Sequence, residues 1–164
     1  MKKIGIVMGS ASDLPIVDKA IATLQELEIP FETHVYSAHR TPEAARQFAL
    51  QAREKGFGAI IAAAGMAAHL AGAIAANTTL PVVGIPCKSA SLDGIDALLS
   101  TVMMPPGIPV ATVGINGAAN AALLCAEILA VSDDEIAERL AAKRKKDAEK
   151  VLAADKEISE KYTR

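Results

Sequence analysis

The sequence predicts an α/β domain of three layers, αβα, on a five-stranded parallel sheet with a long C-terminal helix. Three observations carry that reading. Apolar runs alternate five times with segments of helical spacing, the signature of consecutive βα units. The runs are continuous rather than alternating, as strands buried on both faces require. From Ser132 onward the chain turns to charge, with nine Lys or Arg against nine Asp or Glu, as in a helix with one solvated face.

Taken in order, residues 3–8 are β-branched and apolar and form the first strand. Asp13 is placed to cap the helix that follows, Pro15 is tolerated in its first turn, and Pro30 stops it. Between them Ile16, Val17, Ala20, Ile21, Leu24 and Leu27 recur at helical spacing. Residues 31–36 are the second strand. Thr41 and Pro42 then open a helix as N-cap and first helical residue, and Gly56 closes it near residue 55. Residues 58–64 are the third strand, with an Ala-rich helix over 67–77. Residues 81–86 are the fourth, with a helix over 94–101 and a rigid Met-Met-Pro-Pro-Gly loop at 103–107. Residues 110–115 are the fifth strand and 118–131 its helix. Ser132 is the expected N-cap of the last helix, followed by acids favourable at the positive end of its dipole. The apolar stripe of that helix is thin: Ile136, Leu140, Val151, Leu152, Ile158 and Tyr162. The chain thus divides into a body over 1–131 and a helical extension over 132–164 that is expected to pack on neighbouring subunits.

Right-handed crossovers leave few topologies, and the flavodoxin-like strand order 2-1-3-4-5 fits best. That order places the carboxyl ends of strands one, two and three side by side. Three polar clusters stand there: Gly9-Ser10-Ala11-Ser12-Asp13, Ser37-Ala38-His39-Arg40-Thr41-Pro42 and Gly65-Met66-Ala67-Ala68-His69-Leu70. Ligands of open α/β sheets bind in the crevice at such a switch point, so the clusters are expected to form one site.

Bulk composition narrows the function classes. Seventeen basic against nineteen acidic residues leave no broad positive field for nucleic acid. The short apolar N-terminal stretch, broken by Gly5 and Gly9, reads as neither a signal peptide nor a membrane span, so a cytoplasmic location is expected. Cys87 and Cys125 lack metal-ligand spacing and read as small buried hydrophobes. Aromatic residues are only 3% of the chain; a core of small aliphatics gains little burial per residue, so subunit contacts are expected to add stability.

The clusters also suggest chemistry. Small residues and hydroxyls at a helix start favour an anion such as phosphate, but neither a Walker loop nor a dinucleotide fingerprint is present. Asp13 would be repelled by phosphate and suits sugar hydroxyls. The fork of Arg40 matches phosphate oxygens. Imidazole both gives and takes a proton near neutral pH, which makes His69 a candidate for proton transfer, whereas the mid-strand His34 reads as structural. No grouping of His, Cys, Asp and Glu suggests a metal site.

These motifs resemble the N5-carboxyaminoimidazole ribonucleotide mutase family. The resemblance rests on the three clusters, on Pro86-x-Lys88-Ser89, on Met104-Pro105-x-Gly107-Ile108-Pro109-Val110 and on Asn120-Ala121-Ala122, and spans about residues 3 to 131. It implies a step of purine biosynthesis in which a carboxylate moves from the exocyclic nitrogen of an aminoimidazole ribonucleotide to ring carbon 4, without metal, ATP or biotin. It assigns His69 as general acid and base and puts His39 beside the carboxylate. Ser10, Ser12, Asp13 and Arg40 would bind the ribonucleotide, with Ser37, Ala38, Gly65, Ala67 and Leu70 lining the site. A homo-octamer is implied as well. The related direct carboxylases, which use aminoimidazole ribonucleotide and carbon dioxide, tend to carry Lys where this chain has Arg40. The third loop commonly reads Gly-Gly-Ala-Ala-His-Leu-Pro-Gly in the family, whereas Met66 and Ala71 stand in place of its second Gly and its Pro.

Overall fold

A computed structural model describes residues 1–163. Five strands, β1 (Lys3–Met8), β2 (Phe31–Val35), β3 (Phe57–Gly65), β4 (Val82–Cys87) and β5 (Ala111–Thr112), form one sheet. Its order is β2-β1-β3-β4-β5 and every pairing is parallel, as the sequence predicts. The helices are α1 (Leu14–Glu26), α2 (Pro42–Gln51), α3 (Leu70–Ala75), α4 (Ile95–Val102), α5 (Ala118–Ala130) and α6 (Asp134–Tyr162).

Strand side chains alternate between two cores. Ile4, Ile6, Ala59, Ile61, Val83 and Ile85 face α1 and α5, where Val17, Leu24, Ala122 and Cys125 complete a buried cluster. Val7, Ile60, Ala62 and Val82 face the other way, against Phe48 of α2 and Ile74 of α3. Helix α4 shares that second side and approaches closely because β4 carries Gly84. A Cβ there would lie 2.4 Å from Thr101 Cγ2 and 3.3 Å from the Ala71 Cβ. Both cysteines are buried, and burial pushes each thiol up to about 12, as inert core residues.

Helix α6 has two different halves. Its N-terminal part docks: Ile136 and Leu140 are buried in the α1/α5 core, and Arg139 donates from Nη1 to the carbonyls of Leu27 and Glu28 at 2.9 and 3.0 Å. Farther along, Val151, Leu152, Ile158 and Tyr162 are 59–70% exposed. No helix among the described residues is long and apolar enough to cross a membrane.

Several local expectations are corrected. Asp13 makes no capping bond; it ends a 3-10 turn over Ala11–Asp13, and Ser10 supplies the cap to Ser12 N instead. Thr41 stands at the N-cap position of α2 without a side-chain cap, because its Oγ1 accepts from Ser37 N at 2.8 Å. Asp133 rather than Ser132 caps α6, accepting from Ile136 N at 3.3 Å. Helix α3 begins at Leu70, not residue 67, since Ala68 N and His69 N bond back to Met66 O and Ala67 O in two tight bends. Strand β5 is only two residues long, as an edge strand with one paired neighbour.

Candidate active site

The carboxyl ends of β1, β2 and β3 bring all three polar clusters to one cleft of about 480 Å³. Every residue singled out from the sequence lines it: Ser10, Ser12, Asp13, Ser37, Ala38, His39, Arg40, Gly65, Ala67, His69 and Leu70. Gly9, Ala64 and Met66 join them.

The loops are tied to one another by side chains. His39 Nε2 lies 2.8 Å from His69 Nδ1, with the rings nearly perpendicular at 80°. One of these two nitrogens must carry the proton between them. His39 Nδ1 and His69 Nε2 are therefore the ring atoms left to meet a ligand. Arg40 Nη2 donates to Gly9 O at 3.2 Å, which joins the second cluster to the first. That carbonyl is a site contact that the sequence gives no signal for, because any residue could supply it.

Within the second cluster, Ser37 Oγ accepts from the backbone N–H groups of His39 and Arg40 at 3.3 and 3.1 Å. This serine turn fixes the direction in which both side chains leave the loop after β2. In the first cluster Ser12 Oγ donates to Ser10 Oγ at 2.8 Å, so the two hydroxyls form one unit above the start of α1. Asp13 is half-buried beside them. Burial raises its carboxyl above the ordinary 3.8, and a backbone hydrogen bond at Ser10 partly opposes this.

In the third cluster Gly65 permits close approach of strands; a Cβ there would lie 3.3 Å from Cys87 O. Met66 follows with φ +52°, a left-handed conformation that costs an L residue about 1 kcal/mol. His69 is the residue before α3 rather than one inside it, and it is exposed, as are His39, Arg40 and Met66. His34 is outside the cleft. It stacks on Tyr36 at 5.0 Å between ring centroids and packs against Phe48, as a structural residue does.

The arrangement offers a cation for a phosphate group, paired hydroxyls and a carboxylate for a sugar, and an imidazole pair for proton transfer. The AIR carboxylase family model matches residues 3–150. The N5-carboxyaminoimidazole ribonucleotide mutase of Pyrococcus abyssi is 56% identical over 140 residues, 85% of this chain and 80% of that protein. The protein of the same name from Methanocaldococcus jannaschii is 50% identical over 157 residues, 96% of this chain and 98% of that one. Among solved structures, Treponema denticola PurE superposes with a TM-score of 0.83 at 29% identity, covering 98% of both chains.

Proposed function

The chain belongs to the AIR carboxylase family, and on that premise we propose how its cleft performs the reaction. The enzyme is a mutase that converts N5-carboxyaminoimidazole ribonucleotide to 4-carboxy-5-aminoimidazole ribonucleotide in purine biosynthesis. The observation that carries the residue roles is the 2.8 Å contact between His39 and His69 in a cleft that also holds Arg40, Asp13 and the Ser10–Ser12 pair.

His69 is the general acid and base. Its Nε2 protonates the carbamate nitrogen as the N–C bond breaks and carbon dioxide is released. The enamine carbon C4 then attacks the trapped carbon dioxide, and the same imidazole takes the C4 proton. One group serves both steps because each leaves it in the state that the next step needs. His39 holds the tautomer of His69 through the Nε2–Nδ1 bond and stands beside the carboxylate. Arg40 meets the phosphate, Asp13 and the serine hydroxyls meet the ribose, and Ser37, Ala38, Gly65, Ala67 and Leu70 wall the imidazole.

Further readings go with this one. The body over 1–131 carries the chemistry; of the extension over 132–164, the first turns dock on their own body through Ile136 and Leu140, and the part beyond them packs on neighbouring subunits of a homo-octamer in the cytoplasm. The assembly is supported by the exposed stripe at the end of α6, and by Leu92 in the turn before α4 with Ile95, Leu99 and Val102 on α4, which are 45–59% exposed. Apolar surface in such contiguous rows marks an interaction face.

The deciding assay offers the purified enzyme either N5-carboxyaminoimidazole ribonucleotide or aminoimidazole ribonucleotide with low bicarbonate. Conversion of the first and not the second is expected. Efficient use of the second would replace the mutase with a direct carboxylase.

A further inference from the structure

The two ends of the loop that presents His39 and Arg40 are joined three times over. Ser37 N donates to Thr41 Oγ1 at 2.8 Å, Thr41 Oγ1 donates in turn to Ser37 O at 3.2 Å, and Thr41 N donates to the same carbonyl at 2.9 Å. From inside this ring Ser37 Oγ accepts from the N–H groups of His39 and Arg40. Four of the five amides over 37–41 are thus bonded within the segment itself, so its shape is set locally and closed at Thr41.

Thr41 closes this ring at the expense of its own helix. A Thr at the N-cap position ordinarily accepts from an N–H of the first helical turn, as Asp133 does from Ile136 N at the start of α6. Thr41 makes no such bond, and α2 has no side-chain cap. Its hydroxyl turns back onto the loop, against the preference of its position, and local rules broken in this way mark functional segments. Thr41 is exposed and does not line the cleft, so it acts through its neighbours. The two side chains it carries are not equally secured. Arg40 has an anchor on the first cluster, Gly9 O. Among the described residues, the His39 ring has one hydrogen-bond partner, His69 Nδ1 at 2.8 Å.

We infer that Thr41 is a positioning residue that closes the loop over 37–41 and thereby sets the ring-to-ring contact of His39 with His69. The inference rests on the mutase reading above. In that reaction one imidazole gives a proton to the carbamate nitrogen and later takes one from C4, so its reacting nitrogen has to stay aimed at the substrate through both steps. His69 is held from its Nδ1 side by His39, and that hold is only as firm as the backbone of His39. Ser37 fixes that backbone, and Thr41 fixes Ser37. Thr41 exchanges no proton with the substrate. Without its hydroxyl the loop is free to drift, and a displacement of about 1 Å is enough to cost about a hundredfold in rate.

The test compares the full chain with Thr41→Val, which keeps the shape and removes the hydroxyl, and with Thr41→Ser, which keeps the hydroxyl. Thr41→Val should lower kcat on N5-carboxyaminoimidazole ribonucleotide by about tenfold, a partial misplacement, while KM stays within about threefold because Arg40 retains its anchor. Deuterium exchange of the amides over 37–41, measured without substrate, should quicken by about tenfold as the ring opens. The thermal midpoint should stay within about 4 °C of the parent, since the bonds lost are local and exposed. Thr41→Ser should return kcat and exchange to within about twofold of the parent, because a serine hydroxyl makes the same local bonds. A Thr41→Val chain with unaltered kcat would overturn the inference, whatever its melting point. So would a loss of kcat without faster exchange, or a Thr41→Ser chain as slow as Thr41→Val. An unsubstituted chain that fails to isomerise the substrate would overturn the mutase reading instead, and the exchange comparison would still decide whether Thr41 closes the loop.

Discussion

The interior of the sheet and its carboxyl edge answer opposite demands. In the interior, Ile4, Ile6, Ile60, Ile61 and Ile85 are fully buried, and strand pairing satisfies the backbone. At the edge, in the loops that follow β2 and β3, two histidines and an arginine are exposed and a methionine has a left-handed backbone. The interior stabilises the fold and has no chemistry. The edge costs stability locally and carries the chemistry. What connects them is register: β1 and β3 pair from Ile4↔Ala59 to Met8↔Ala63 without a shift, so their polar ends emerge side by side.

If that division is sound, substitutions in the two regions should have crossed effects. The largest concerns His69→Asn, which should lower turnover by about three orders of magnitude, within the range for loss of a general acid and base. Its thermal midpoint should stay close to that of the parent, because the ring is exposed. Steady-state kinetics with melting curves reads both. Near-normal turnover in His69→Asn, with loss in His39→Asn, would exchange the roles of the two rings.

The converse is Ile61→Ala. Removing this fully buried side chain should cost about 2–5 kcal/mol of stability, measured by denaturant unfolding. Turnover per folded molecule should not change; a kinetic defect comparable to that of a cleft variant would erase the division. Arg40→Ala belongs to the edge and should raise KM about tenfold through loss of a charge-assisted contact. An unaltered KM would take Arg40 out of the substrate site. Asp133→Ala should cost about 1 kcal/mol, the usual worth of an N-cap, with kinetics unchanged.

The smallest effect is the most diagnostic, because it couples the two regions. Burial raises the Asp13 carboxyl above its ordinary 3.8, so the folded state holds this proton more tightly than the unfolded chain does. Its contribution to stability is therefore most favourable below the ordinary value and declines as pH rises through the raised one. At neutral pH the ionised group is a local cost. Asp13→Asn should be slightly more stable than the parent at pH 7, with the gap closing in acid, while binding the ribonucleotide more weakly. A variant less stable at pH 7 would contradict this sign.

Much of this division is legible in the sequence because it is written in periodicity. Continuous apolar strands, helical spacing and Pro or Gly stops locate the elements, and crossover handedness orders them. The meeting of the three clusters follows from that order alone. What stays hidden is competition between equivalent groups at short range. Ser10 and Asp13 both suit a helix start, and only the 3-10 turn decides between them. Thr41 reads as a cap until Ser37 N claims its hydroxyl. The ring-to-ring contact of His39 and His69 spans thirty residues and depends on rotamers that no pattern encodes. The left-handed backbone at Met66 is likewise invisible, although an unusual residue in a Gly-rich loop marks the place to look.

The docked half of α6 has a consequence for how the protein is made. Arg139 closes the carbonyl end of α1, and Ile136 is fully buried in the core that α1 and α5 share. A nascent chain thus exposes the face that α6 will cover until more than a hundred residues beyond α1 have been synthesised. At roughly ten residues per second, that first helix waits many seconds for its last partner. During that interval the apolar face between α1 and α5 lacks its cover, and the last contacts of that core form only once Ile136 and Leu140 have been made.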